Sequence, residues 1–203
     1  MIKTLIFDFG DVFINLDKQG AMTNALELFK MIKFEEDMVE ANTLYEIGKI
    51  STSEFLDFYK AKFPRLTEQN IVHAWNYIIK DFPTHRLDFA KQLSENNNYK
   101  LILLSNTNEM HIDFIKDNVS FYNEFKKCFD NFYLSHEINL RKPNEDIYEF
   151  VLTENNLNPK ECLFIDDTKE NTDAVQKLGI HTWNIDETKE DVVDLFEIKK
   201  HLF

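Results

Sequence analysis

TLIFDFGDV, at residues 4–12, begins with the short apolar run Thr4 to Phe7. Asp8 closes this run, and Gly10 follows two residues later. Unbroken apolar runs of this length are typical of strands buried on both faces of a parallel sheet. Two similar runs occur later in the chain, LILLS at 101–105 and CLFIDD at 162–167. In open α/β sheets, ligands bind beyond the carboxyl ends of the strands, so we expect the terminal polar residues of these runs to share one crevice.

The rest of the chain fits an α/β core. From residue 100 onwards, strand-like and helix-like segments alternate, which predicts parallel strands joined by right-handed crossovers. We therefore expect a Rossmann-like parallel sheet with helices on both faces. The predicted strands are 3–8, 100–105, 131–135, 161–166 and 181–184, and the predicted helices of this part are 109–118, 144–155 and 170–178.

Between the first and second strands the pattern is helical over a length too great for a simple crossover. Ser51 and Glu54 form a capping box, and Thr67 is placed to cap a further helix. We predict that residues 16–90 form an all-helical cap domain. Residues 1–15 and 91–203 would form the core, with the cap over the carboxyl ends of its strands.

Composition limits the possible partners. The 203 residues are 43% hydrophobic and 29% charged, as in a soluble globular protein, and the net charge of -13 argues against nucleic-acid binding. No run of about 18 apolar residues is present, so we expect no membrane span. Only two cysteines occur and no signal peptide is evident, which fits a cytoplasmic monomer or homodimer.

Acidic residues at the strand ends predict a metal site. Asp8 is a candidate nucleophile, because an aspartate carboxylate can attack phosphorus and divide one displacement into two easier steps. Asp166 and Asp167 form a carboxylate pair that would repel Asp8 unless a hard cation lay between them. Oxygen ligands of this kind suit Mg²⁺, which would also offset the charge of a phosphorylated substrate.

Three other residues are candidates for holding a phosphate group. Ser105 offers a hydroxyl at the end of the second strand, and Asn106 follows it in a loop whose backbone N–H groups can contact phosphate oxygens. Lys142 would add a positive charge beside the transferred phosphoryl group. The expected partner is thus a small phosphorylated metabolite.

Together these residues resemble the motifs of the haloacid dehalogenase superfamily of phosphatases and phosphotransferases. Its first motif is an apolar strand that ends in Asp-x-Asp, and its second is a strand that ends in Ser or Thr. Its third is a lysine, often before proline, and its fourth is an acidic strand end with Asp or Asn a few residues later. Asp8, Ser105, Lys142 and Asp166-Asp167 with Asn171 follow this order at comparable spacing, and the resemblance covers nearly the whole chain.

This resemblance implies a role for each residue. Asp8 would be the nucleophile and, with the Gly10 carbonyl and Asp167, a ligand of Mg²⁺. Asp166 would be a direct or water-mediated partner of the metal, and Asn171 would orient its neighbours. Ser105 and Lys142 would hold the phosphoryl group.

Gly10 departs from the usual motif. Most phosphatases of the superfamily have at this position an aspartate that protonates the leaving oxygen and later activates water. The chain resembles a branch with Asp-x-Gly-[Asn/Gly/Asp]-Val, which includes sugar-1-phosphate phosphatases. Such acid–base help contributes about 10²- to 10⁴-fold. We therefore expect a preference for good leaving groups such as anomeric sugar phosphates, with Asp11 kept as a candidate for the proton transfer.

The same residues can be compared with what four other functions would require. Gly10 motivates a non-catalytic binding protein that keeps the fold without turnover, and the survival of the other motifs opposes it. A phospho-accepting receiver domain has its acidic pair at the first strand and is much shorter. A haloacid dehalogenase attacks carbon and gives Asp166 and Asp167 no metal to bind, and a phosphomutase would benefit from the aspartate that Gly10 replaces.

Overall fold

A computed structural model of the protein, which describes residues 1–203, has one five-stranded sheet at its centre. All neighbouring strands are parallel, and their order is β3-β2-β1-β4-β5. Each predicted strand is confirmed to within one residue at both ends. The strands are β1 (Thr4–Phe7), β2 (Lys100–Ser105), β3 (Asn131–Leu134), β4 (Cys162–Asp166) and β5 (His181–Asn184).

Eleven α-helices accompany the sheet, and the three that were predicted in the second part of the chain are confirmed to within two residues. No helix is long and apolar enough to cross a bilayer. The helices are α1 (Lys18–Phe29), α2 (Glu36–Glu46), α3 (Thr52–Lys62), α4 (Glu68–Asn76), α5 (Thr84–Asn96), α6 (Glu109–Asn118), α7 (Tyr122–Lys126), α8 (Ser135–Ile138), α9 (Glu145–Glu154), α10 (Lys169–Gln176) and α11 (Leu195–Ile198).

Strand order sets the position of the crevice. From β1 the chain reaches β2 and β3 on one side, and it then crosses to β4 and β5 on the other side. The order therefore reverses at β1, and the loops after β1, β2 and β4 diverge from one point at the carboxyl edge. The register pairs Phe7 with Leu103 and Ile165, so these three strands end side by side.

The two faces of the sheet contact different apolar clusters, because successive strand residues point in opposite directions. Leu5 and Phe7 belong to a cluster of 28 buried residues on one face. Ile6 lies on the other face with a cluster of ten, which also contains Ile147 of α9 and Val175 of α10. Burial on both faces explains why β1, β2 and β4 are apolar without alternation, whereas the edge strands β3 and β5 are more exposed.

Seven of the 28 buried residues of the larger cluster are phenylalanines. The ring of Phe125 lies 4.8 Å from that of Phe13 and from that of Phe82, and 4.9 Å from that of Phe129. Most of these contacts are edge-to-face, the arrangement that aromatic quadrupoles favour. The same rings support the loop after β1, since Phe9 stacks on Phe125 at 5.4 Å.

Helices α1 to α4 form the helical insertion and have a separate apolar cluster, which includes Phe29, Tyr45, Phe55 and Tyr59. The predicted capping box at Ser51 is present, and Thr67 caps α4 as expected. Two connectors join this unit to the sheet. Residues 15–17 and 78–81 run antiparallel and exchange backbone hydrogen bonds, including Asp17 N–H to the Ile78 carbonyl at 2.8 Å.

The apolar contacts of residues 79–87 indicate where the helical cap ends along the chain. Ile79, Phe82 and Leu87 belong to the cluster of the sheet and not to that of the insertion. Helix α5 therefore packs as a part of the core, whereas the sequence placed residues up to 90 in the cap. The division into two domains remains a prediction, with its second boundary best drawn at the 78–81 connector.

A second set of contacts joins the insertion to the core near the site. At the end of α2 the Glu46 carbonyl accepts a hydrogen bond from Ser135 at 2.6 Å, and its carboxylate pairs with Arg141 at 2.7 Å. Asn139 donates to the Ile47 carbonyl at 2.8 Å. The tip of α2 is thus held on the loops that follow β3.

Phe125→Ala tests the aromatic core. Loss of this fully buried ring removes contacts with several neighbours and leaves a cavity, so the free energy of unfolding should fall by about 3–5 kcal/mol. Urea denaturation would measure it. Phe196→Ala is the matched control at a 39% exposed ring and should cost much less. Equal losses in the two variants would contradict the assignment of Phe125 to the core.

Candidate active site

The predicted site residues meet at the carboxyl edge of the sheet. Asp8 directly follows β1, Ser105 ends β2, and Asp166 ends β4 with Asp167 after it. Lys142 comes from the loop that precedes α9. Asp8, Ser105, Lys142 and Asp166 are buried, which is unusual for charged side chains and requires that they be paired.

The ammonium group of Lys142 is the centre of this arrangement and is 1% exposed. It lies 2.9 Å from Asp8 Oδ1 and 2.6 Å from Asp166 Oδ2, and thus joins the ends of β1 and β4. Burial alone would lower the pKa of Lys142, but the charges of Asp166 and Asp8 outweigh burial and raise it. The lysine is therefore a permanent cation in the site.

Asp166 is fully occupied by partners inside the protein. Its Oδ1 accepts from the Thr168 N–H at 2.8 Å, and the Asn171 amide lies 3.0 Å from each carboxylate oxygen. With Lys142 on Oδ2, this carboxylate has little capacity left. Its position therefore fits a positioning role for Lys142, and Asn171 orients it as the sequence implied.

Three carboxylates converge at the site. Asp8, Asp166 and Asp167 each have an oxygen within 4.8 Å of the others. Burial raises the pKa of Asp8 from 3.8 to about 7; Lys142 opposes this rise, and Asp166 and Asp167 add to it. Burial also raises the pKa of Asp167. Burial is the main cause of both pKa shifts; a lysine opposes each of them, and the neighbouring carboxylates add to them.

The donor set fits a divalent cation that prefers oxygen ligands. Asp8 Oδ2 and Asp167 Oδ1 have no protein partner, and the Gly10 carbonyl accepts no backbone hydrogen bond. When ionised, the four carboxylates of Asp8, Asp11, Asp166 and Asp167 exceed the two lysines that contact them by two negative charges. One divalent ion would balance that excess.

Ser105 and Asn106 are placed differently from each other. The Ser105 hydroxyl has only a long contact of 3.4 Å to the Asn106 carbonyl, so it is available to a ligand. The Asn106 side chain bonds twice to the backbone of Lys142: it accepts from the N–H at 2.9 Å and donates to the carbonyl at 2.8 Å. Asn106 thus fixes the lysine loop, which leaves only its backbone for a phosphate.

Asp11 does not face the crevice as a proton donor would. Its backbone is in the left-handed region, with φ of 53°, which turns the side chain back toward the start of the insertion. Oδ1 accepts from the Leu16 N–H at 2.8 Å, and Oδ2 pairs with Lys18 at 2.8 Å. Asp11 lines none of the clefts around Asp8.

The space beside Gly10 is occupied by a neighbour. A Cβ atom at this position would lie 2.6 Å from Leu16 Cδ1, which is closer than van der Waals contact allows. A larger side chain at position 10 would therefore require that Leu16 move. The missing acid–base side chain is thus part of a packed local arrangement.

Lys18, the first residue of α1, is a site residue that none of the sequence motifs contains. Its ammonium contacts Asp167 and lies 2.8 Å from Asp11. Burial opposes the charge of Lys18, but the hydrogen bonds to Asp11 and Asp167 raise its pKa above the ordinary value. A lysine after a polar turn is common, and only the folded chain brings it to the end of β4.

The space around these residues consists of adjoining clefts. A cleft of about 270 Å³, called here the phosphate cleft, is lined by Asp8, Lys142 and Asp167. A cavity of about 400 Å³, called here the cap cavity, lies between α1, α2, α4 and α6 and is lined by Met22, Trp75 and other mostly apolar residues. A smaller cleft between them has a volume of about 170 Å³.

His111 of α6 lies in the wall of the cap cavity. Its Nε2 contacts the Trp75 carbonyl at 3.0 Å and its Nδ1 contacts Asn108 at 3.2 Å. Burial lowers its pKa to about 4, so the ring is neutral at neutral pH. It therefore joins α6 to α4 as a hydrogen-bonded wall residue.

Comparisons with known proteins agree with this geometry. A family model of haloacid dehalogenase-like hydrolases matches residues 2–179. The curated D-ribitol-5-phosphate phosphatase of Bacteroides thetaiotaomicron is 28% identical over 193 residues, covering 90% of this chain and 91% of that protein.

Solved structures show the same fold. The magnesium complex of a HAD family enzyme from Bacteroides thetaiotaomicron has a TM-score of 0.85 at 35% identity and covers 96% of this chain and 98% of that one. The wild-type form of that enzyme with magnesium and inorganic phosphate gives 0.84 at 33%, covering 97% and 100%. A HAD-like family hydrolase from Porphyromonas gingivalis gives 0.83 at 26%, covering 100% and 98%.

The raised pKa of Asp8 predicts a pH-dependent stability difference. In the metal-free folded protein Asp8 stays protonated up to about pH 7, whereas in the unfolded chain it ionises near 3.8. The folded state binds more protons between these values, so rising pH lowers the free energy of unfolding. Asp8→Asn removes this cost, and its stability relative to wild type should increase from pH 4 to pH 8.

Denaturant titrations with a chelator at several pH values would measure that difference. Asp173→Asn, at an exposed carboxylate of α10, is the control and should show no comparable trend. A difference between Asp8→Asn and wild type that stays constant over this pH range would contradict the buried, destabilised state of the Asp8 carboxylate.

Proposed function

Because the chain belongs to the haloacid dehalogenase-like hydrolase family, we propose that it is a Mg²⁺-dependent phosphatase of a small sugar or polyol phosphate. The observation that carries this proposal is the placement of Asp8. Its carboxylate has one oxygen held by Lys142 and the other directed into an open cleft, among carboxylates that fit a divalent ion.

The chain's own residues support a two-step reaction. One carboxylate oxygen of Asp8 attacks phosphorus while the other is left for the metal; a P–O bond to Asp8 forms, and the P–O bond to the leaving alcohol breaks. Ser105 and Lys142 hold the non-bridging oxygens, where negative charge increases in the transition state. Water then attacks the phosphorus of the aspartyl phosphate, which releases inorganic phosphate and restores the Asp8 carboxylate.

Mg²⁺, bound by Asp8, Asp167 and the Gly10 carbonyl, would neutralise charge on the phosphoryl oxygens. Asp166 takes part indirectly, because Lys142, Thr168 and Asn171 already occupy its oxygens. A similar enzyme has been solved with magnesium and inorganic phosphate together, which supports a site that holds both an ion and a phosphate group.

The cap cavity supports a small leaving group with some hydroxyl groups. Its volume of about 400 Å³ suits a sugar or polyol of a few carbons, and Asn42, Glu46 and Asn108 add polar atoms to an otherwise apolar wall. The curated relative is named for D-ribitol 5-phosphate, a phosphate ester of a small polyol.

Asp8→Asn should abolish metal-dependent phosphate release. Removal of a nucleophile costs at least about 10³-fold in kcat, because no other residue here can form the covalent intermediate. Phosphate release from para-nitrophenyl phosphate would be measured with Mg²⁺, with a chelator and with Mg²⁺ restored. Asp173→Asn is the control for the loss of a carboxylate outside the site.

Three outcomes would count against the proposal. Full activity of Asp8→Asn would exclude Asp8 as the nucleophile. Failure of the wild-type protein on a broad panel of phosphate esters, despite calorimetric uptake of Mg²⁺, would favour a binding protein. Metal-independent release of halide from a 2-haloacid would favour dehalogenation.

A substrate panel tests the finer assignment. We expect the highest kcat/KM on a sugar or polyol phosphate, and a higher value for glucose 1-phosphate than for glucose 6-phosphate, since position 10 supplies no acid. Ribitol 5-phosphate and a nucleoside monophosphate complete the panel. Faster cleavage of glucose 6-phosphate than of glucose 1-phosphate would contradict the leaving-group expectation and leave the phosphatase assignment intact.

A further inference from the structure

Position 10 offers no acidic side chain to the leaving oxygen of the substrate, and Glu46, which lines the cap cavity and the smaller cleft, is paired with Arg141 at 2.7 Å. Attack by Asp8 requires the leaving oxygen on the opposite side of phosphorus, toward the helical insertion. Gly10 has no side chain to offer there, and Leu16 lies where one would project. Asp11 is held by the Leu16 N–H and by Lys18, away from the clefts.

Lys18 is the residue that lines both the phosphate cleft and the cap cavity. A phosphate ester with its phosphoryl group at Asp8 and its alcohol in the cap cavity has its bridging oxygen between the two spaces. Lys18 belongs to the walls of both spaces and not to that of the smaller cleft, so its ammonium group is beside the breaking bond of an ester that passes directly from one space to the other. Met22 and Trp75, which line the cavity further on, have no charge to offer.

Carboxylate partners, and not the helix dipole, hold the ammonium group of Lys18 in its position. It is the first residue of α1, where the helix dipole disfavours a cation. Its hydrogen bonds to the carboxylates of Asp11 and Asp167 hold it there, and half of its side chain remains exposed to the cleft. Asp167 in turn lies within 4.8 Å of Asp8, which places the cation one carboxylate away from the nucleophile.

We propose that Lys18 is a catalytic residue that donates a hydrogen bond to the leaving oxygen and stabilises the negative charge that develops on it. This inference rests on the proposed phosphatase function. As the P–O bond to Asp8 forms and the P–O bond to the alcohol breaks, the leaving oxygen keeps the electron pair. It then takes its proton from water, and Lys18 keeps its own.

The test compares leaving groups of similar shape and different acidity. Phenyl phosphate and para-nitrophenyl phosphate share a ring, but nitrophenolate needs much less stabilisation than phenolate. Lys18→Met should lower kcat/KM for phenyl phosphate about 10²-fold, as for the loss of one oxyanion donor, and affect para-nitrophenyl phosphate much less. Ribitol 5-phosphate, whose leaving alkoxide is more basic, should be affected at least as strongly as phenyl phosphate.

Two further variants separate charge from structure. Lys18→Arg keeps a cationic donor and should recover part of the loss on phenyl phosphate. Lys80→Met removes a lysine at the base of the insertion that lines neither the phosphate cleft nor the cap cavity, and should leave the ratio of the two substrates unchanged. Thermal unfolding and calorimetric Mg²⁺ binding would show that Lys18→Met keeps its fold and metal site.

The results separate two kinds of failure. Equal losses of Lys18→Met on both aryl phosphates, or no loss, would overturn the role at the leaving oxygen and leave the phosphatase proposal standing. Lack of Mg²⁺-dependent release from all these esters by the wild-type protein would instead reject the phosphatase proposal itself.

Discussion

The site depends on one electrostatic constraint: a buried ammonium group must lie between buried carboxylates. Lys142 has almost no contact with solvent, so its charge is tolerated only because Asp8 and Asp166 both pair with it. That pairing requires β1 and β4 to be neighbours and the lysine loop to be fixed. The parallel sheet meets the first requirement, and the Asn106 side chain meets the second by bonding to both backbone groups of Lys142.

Much of this could be predicted from the chain, because its strongest signals are local. Apolar runs of four or five residues predict the central strands. The polar residues at their ends, Asp8, Ser105 and Asp166, are therefore predicted to lie at one edge of the sheet. Lys18 and the binding mode of Asn106 could not be predicted, since each depends on which distant segment faces it in the folded chain. The cap boundary at residue 90 stays a prediction; α5 has a helical pattern like that of the cap helices, and its packing against the cluster of the sheet is visible only in the folded chain.

The same residues that build the site also connect it to the helical insertion. Lys18 begins the first helix of the insertion and contacts the end of β4, and Arg141, next to Lys142, pairs with Glu46 at the tip of α2. His111, a few residues beyond Ser105, contacts the Trp75 carbonyl on α4. Each loop of the sheet edge thus contributes one residue to the chemistry and another to the position of the helices above it. The contacts that position the insertion therefore come from the same loops that carry the site residues.

The packing of Leu16 against Gly10 sets what a new side chain at position 10 would meet. A Cβ atom there would lie 2.6 Å from Leu16 Cδ1, which is the far end of a flexible and half-buried side chain. That side chain can rotate aside while the Leu16 backbone N–H keeps its bond to Asp11 Oδ1. An aspartate introduced at position 10 could therefore be accommodated by one rotation of a neighbouring leucine, with the turn after β1 kept as it is.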